Sequence, residues 1–166
     1  HKDPEQDKAP CNKDYPEDSG ITGFCHISCK HGIMKGATAL RKGESCGVLV
    51  RVLVKRLPKR VKASKWVFIY DNACNAHKWG LRRYPHRLRN FIFLIDRHHL
   101  SNHTSCSKAY DINNYSYLAD VNTQKFEQRN RKLRKFSARL AKMQFVTYIK
   151  WIELWMGYVN LMEKMS

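Results

Sequence analysis

Residues 65–74 read KWVFIYDNAC, a run of large apolar and aromatic residues that stops on an aspartate, Asp71. An unbroken apolar run of this length, rich in β-branched and aromatic side chains, predicts a strand buried on both faces. Residues 91–96, FIFLID, repeat the pattern. Between the two lies NACNAHKWGLRRYPHRLRN (72–90), polar and mixed, which predicts a helix broken near Gly80 or Pro85. Upstream, GITGFCHISCKHGIM (20–34) predicts a strand followed by a turn at His31-Gly32, and KGES (42–45) a helix start. Val48, Leu49, Val52 and Leu53 then recur at helical spacing as far as Leu57, where Pro58 ends the pattern.

Downstream, RHHLSNHTSCSKAYDINNYSY (97–117) is a long polar connection. It leads to a helix whose apolar stripe is Phe126, Leu133, Phe136, Leu140 and Met143, and then to an aromatic helix over about residues 145–162. Alternation of buried strands with helices implies an α/β fold, one mixed sheet flanked by helices on both faces. Residues 1–19 are a polar lead segment or loop and 20–166 a single domain, the size that 166 residues accommodate.

The chain carries 31 Lys and Arg against 14 Asp and Glu, a net charge of +17, which points to a polyanionic partner, nucleic acid before any other. No apolar run is long enough to span a bilayer, so a membrane is not the expected partner. Six cysteines without a secretory signal read as reduced thiols or metal ligands rather than a disulfide scaffold. Phosphate-binding charge is concentrated in KRLPKRVK (55–62), LRRYPHRLR (81–89) and the basic helix, with Lys55, Arg56, Lys59, Arg60, Arg82, Arg83, Arg131, Arg134 and Lys135 as the candidate contacts. The plainer reading of each run is a solvated face.

Asp71, at the carboxyl end of a buried strand, is placed either to ligate a hard divalent cation or to cap the following helix. Glu127 sits beside Phe126 in VNTQKFEQRNRKL (121–133), with Gln124, Asn130 and Arg131 on its face. It serves either as a second cation ligand or as an ion-pair partner for its basic neighbours. Cys25, Cys29 and His31 form C-x-x-x-C-x-H, and His98, His99, His103 and Cys106 a second group. Four donors drawn from Cys25, Cys29, His31, His103 and Cys106 suit a tetrahedral Zn²⁺, against the alternative of buried free thiols, the reading given to Cys74.

Four blocks, CKHG (29–32), KGES (42–45), YDNAC (70–74) and NTQKFEQRN (122–130), together with DRHHLSNHTSC (96–106), resemble the Kyakuja-Dileera-Zisupton transposases over about residues 20–162. The resemblance implies a ribonuclease-H-like core, metal-dependent DNA cleavage and strand transfer with Mg²⁺ or Mn²⁺, DNA as partner, a nuclear location and a homo-oligomeric parent. Asp71 corresponds to the second aspartate and Glu127 to the glutamate of an Asp, Asp, Glu triad. Asn72 departs from the family's aliphatic residue. The first aspartate has no counterpart, because Asp3, Asp7, Asp14 and Asp18 end no apolar strand. The chain is therefore expected to be an N-terminally truncated core, inactive by itself. The alternative is a non-catalytic nucleic-acid-binding or zinc-binding module derived from a transposable element.

Overall fold

A computed structural model describes residues 21–41, 43–56, 66–104 and 106–165. The lead segment, Lys59, Arg60 and the side chains of Phe126 and Arg134 lie outside what it describes. β1 (Gly23–Ser28) and β2 (Met34–Leu40) form an antiparallel hairpin, Gly23 opposite Leu40. Their turn falls at His31-Gly32 as the sequence predicts. Gly32 takes φ +89°, a left-handed conformation that other residues resist, while its N–H donates to the Cys29 carbonyl at 2.8 Å. α1 (Cys46–Arg56) follows, then β3 (Trp66–Ile69), α2 (Ala73–Arg83), α3 (Pro85–Leu88) and β4 (Phe91–Leu94). The helix break falls at Pro85, which occupies the first turn of α3, where its missing N–H costs nothing.

β3 and β4 pair in parallel, Trp66 opposite Phe91 through Ile69 opposite Leu94. The described residues thus make two two-stranded sheets, β1-β2 and β3-β4, where one continuous sheet was expected. The second strand of the hairpin is also new. MKGATAL is dominated by small residues without apolar alternation, so its strand character comes from pairing with β1.

Helices cover the hairpin on both faces. Cys25 and Leu40 pack on Leu49 of α1. On the other side Phe24, Ala37 and Ala39 meet Tyr148 and Ile152 of α6 (Phe145–Met165). The β3-β4 pair buries Phe91, Phe93 and Ile95 against Val50, Leu53, Ala76 and Leu88 of the helices. Its opposite face, with Leu94, is closed by Ile112 and Leu118 from short 3-10 turns in the connection. The absence of a Cβ at Gly80 lets α2 approach both α3 and α1 closely, since one there would lie 2.6 Å from Leu88 Cδ1 and 3.3 Å from Val50 Cγ1.

The long basic helix is not continuous. It divides into α4 (Lys125–Arg134) and α5 (Ser137–Ala141), and Phe136, placed on the buried stripe by its spacing, is 44% exposed. Positive charges at positions 131, 134 and 135 recur three and four apart, where like charges destabilise a helix, and the break follows them. No described helix is long and apolar enough to cross a membrane.

Candidate metal-dependent catalytic site

The parallel register of β3 and β4 continues past the strands. Tyr70 N–H donates to the Leu94 carbonyl at 3.0 Å, which brings Asp71 and Asp96, the residues ending the two apolar runs, out at the same edge. Their environments differ. Asp96 is buried and committed: Oδ1 accepts from the His98 N–H at 2.9 Å and Oδ2 contacts His99 Nδ1 at 2.7 Å. Asp71 is half-buried, and its Oδ1 accepts from the neighbouring Asn72 N–H at 2.6 Å. The cap reading of Asp71 is not realised, because the N-cap of α2 is Asn72 and no side chain caps that end.

α4 is held by contacts from three directions. Arg97 reaches from beside Asp96 to the carbonyls of Val121 at 2.6 Å and Leu118 at 2.8 Å, fixing the chain just before the helix. Asn130 Oδ1 meets His26 Nε2 of β1 at 3.1 Å. Arg129, 7% exposed, donates to the Gly32 carbonyl and to Glu163 of α6, which Lys125 also meets at 2.6 Å. Glu127 lies between these anchors, exposed, and its charge acts on Asp71.

The result is a cluster of carboxylates in a strongly basic chain. Burial raises the pKa of Asp71, and the charges of Asp96 and Glu127 add to this against the lowering effects of the Asn72 N–H and His99. Glu44, from KGES, joins them: its Oε1 accepts from the Tyr70 hydroxyl at 3.0 Å. Its pKa is raised by burial and by Asp71 and Glu127, although its side chain keeps an exposed edge. Burial disfavours the charged His99, but Asp96, Asp71 and Glu127 outweigh it and raise the imidazole's pKa. Among the described residues no three of these carboxylates have oxygens within 4.8 Å of one another, so what they share is electrostatic influence rather than a formed metal cage. Asp96 announced itself by the same signal as Asp71, an apolar strand ending on a carboxylate. Glu44 gave none beyond its block.

The cysteine and histidine groups sort differently from the expectation. Cys74, His103 and Cys106 come together, their ligand atoms all within 4.8 Å of one another, and this group could bind a metal such as zinc. Cys25 faces inward with Leu40 and Leu49, where burial and the charges of Glu44 and Asp71 push its thiol up to about 12. Among the described residues, Cys29 and His31 at the hairpin turn belong to no such group. Cys74, read from sequence as core, is the member that spacing missed. It sits in the first turn of α2, three residues after Asp71, and faces residues some thirty positions away.

Of the proposed phosphate contacts, Lys55 and Arg56 end α1, Arg82 and Arg83 end α2, and Arg131 and Lys135 are exposed on and after α4. The Arg83 guanidinium lies 4.3 Å from the centroid of the Trp79 ring, a cation–π contact.

The model of the Kyakuja-Dileera-Zisupton transposases matches residues 12–160. The chain belongs to that family. A transposase implies DNA as the partner. No curated protein and no solved structure matches the chain.

Proposed function

We propose that this chain is part of the ribonuclease-H-like catalytic core of a cut-and-paste DNA transposase, supplying Asp71 and Glu127 as ligands for Mg²⁺ or Mn²⁺ while the first aspartate of the triad has no counterpart in it. The observation that carries the proposal is that Asp71 ends β3 beside Asp96, and that the charge of Glu127, distant in sequence, acts on both Asp71 and Glu44, in a chain with net charge +17. When bound, the ions supply activation of the attacking oxygen and neutralisation of charge at the leaving oxygen. The chain's own part is positional. β3 holds Asp71 on rigid backbone, α4 presents Glu127, and the Tyr70 hydroxyl orients Glu44 toward the same edge. Asp96, with one hydrogen-bond contact on each oxygen and its His99 partner, sets the local charge beside Asp71. Lys55, Arg56, Arg82, Arg83, Arg131 and Lys135 attract and hold the phosphate backbone without reading sequence. The reading carries with it a nuclear site of action and a homo-oligomeric parent.

The test is Asp71→Ala and Glu127→Ala in the natural polypeptide that carries this chain, assayed with Mg²⁺ on labelled DNA. Each should abolish cleavage and leave DNA binding in place. Cleavage surviving both substitutions would refute the proposal. The second reading, a non-catalytic nucleic-acid-binding or zinc-binding module, is favoured by the Cys74, His103 and Cys106 group and requires cleavage to be absent from the unsubstituted protein as well.

A further inference from the structure

We propose that Cys74, His103 and Cys106 form a zinc site that ties the first turn of α2 to the connection following β4. His103 Nδ1 stands 3.6 Å from Cys74 Sγ and 3.4 Å from Cys106 Sγ. Tetrahedral coordination with Zn–S of about 2.3 Å and Zn–N of about 2.0–2.1 Å puts sulfur and nitrogen about 3.6 Å apart along an edge of the tetrahedron. The two observed separations bracket or meet that length without an ion holding them there. Hydrogen bonds between free thiols and the imidazole span the same range, so the zinc content is what distinguishes the two arrangements.

The donor set also selects the ion. Two thiols and one imidazole are soft and borderline ligands, suited to zinc and unsuited to the magnesium or manganese of the carboxylate cluster. Beside His103 and Cys106 lies an open hollow of about 180 Å³, lined also by Thr104, Ser107, Lys108 and Asp111, which gives solvent access to a fourth coordination position. Around the donors, His77 Nδ1 meets the Tyr110 hydroxyl at 3.1 Å and stacks on Phe93 at 4.7 Å, so the walls of the site are already fixed by α2 and β4.

The placement has a consequence for the strand edge. Cys74 is three residues beyond Asp71, and His103 and Cys106 belong to the connection that starts at Asp96. An ion bridging them fixes the turn carrying one aspartate against the chain carrying the other. Cys74, His103 and Cys106 are positioning residues in this scheme, and none is a ligand of the carboxylate-bound cations. The zinc site does not depend on the reading of Asp71 and Glu127, and its metal content is measured without DNA.

The experiment is metal analysis of the chain purified under reducing conditions and titrated with Zn²⁺, followed by Co²⁺ substitution and thiol alkylation. The proposal expects about one zinc per chain and thiolate-to-cobalt charge-transfer absorption. Zinc should also slow alkylation of Cys74 and Cys106 at least tenfold while leaving Cys29 and Cys46 unchanged. Cys74→Ser should lower zinc content at least tenfold, and Cys29→Ser should not change it. Should Cys74→Ser fail to fold, the alkylation pattern of the unsubstituted chain decides. Zinc below a tenth of an equivalent, equal alkylation of all four thiols, or a Cys74–Cys106 disulfide in the reduced preparation would each overturn the site.

Discussion

Asp71→Asn should make the metal-free protein more stable and at the same time remove its response to Mn²⁺. In the fold Asp71 ionises against burial and against the charges of Asp96 and Glu127. Its raised pKa means that the ionised form costs stability. The cost is absent below the unfolded value of about 3.9 and complete once pH exceeds the raised folded value, so at neutral pH the fold bears all of it. Asp71 is half-buried and solvent screens part of the repulsion, which leaves a gain on the order of 1 kcal/mol for the neutral isostere. For a chain of this size that is a rise in Tm of about 2–4 °C. In the unsubstituted chain, Mn²⁺ at ten times its Kd should add about 1.4 kcal/mol, and in Asp71→Asn almost nothing. Thermal unfolding followed by circular dichroism, with and without Mn²⁺ and at two pH values, reads all of these. A destabilised variant, or one that Mn²⁺ stabilises as much as the original, would show that Asp71 is a structural acid and that the reasoning from repulsion is wrong.

Glu163→Ala should destabilise by about 2–4 kcal/mol in denaturant unfolding, because it removes the carboxylate that pairs with the buried Arg129 guanidinium and ties α4 to α6. The Lys125 hydrogen bond, with Arg129, holds the Glu163 carboxyl below its ordinary value, so this stability is present above about pH 4.3 and is lost as pH falls through the lower folded value. The gap between variant and original should close on acidification, and a constant gap would refute the ion-pair origin. Gly80→Ala should cost about 1–3 kcal/mol, since its Cβ meets Leu88 and Val50 in a filled core; a neutral result would mean that α1 and α2 have room to part. Arg82→Ala, Arg131→Ala and Lys135→Ala together should lower the salt slope of DNA binding by about 3 if each contacts a phosphate, and leave it unchanged if these charges only face solvent.

What the sequence made legible followed from burial and chain-local chemistry. The run ending at Asp96 is a continuous apolar strand because both of its faces are covered. The strand ending at Asp71, expected to be buried on both faces, is only half-buried and leaves Trp66 41% exposed, because it lies at the edge of its two-stranded sheet. Pro85 and the KGES helix start act within a few residues of themselves, and so did the turn at Gly32. What stayed hidden was set by partners distant in sequence. β2 has no apolar pattern and is a strand through β1. Cys25 alternates inward onto Leu49 and leaves the zinc set for which its spacing nominated it, while Cys74 enters it through a contact with His103, twenty-nine positions away. The helical stripe holds at Leu133, Leu140 and Met143 but fails at Phe136, where the helix breaks after a face of like charges, a term that hydrophobic periodicity does not contain. Glu44 could not be joined to Asp71 from spacing, since Tyr70 makes that connection only after α1 and β3 have packed.

The most direct test is the anomalous scattering of Mn²⁺ in crystals of the chain, which locates the ion without relying on activity. The account predicts a peak ligated by the carboxylates of both Asp71 and Glu127, lost in the Asp71→Asn protein. A peak elsewhere, or one that touches only one of the two residues, would contradict it.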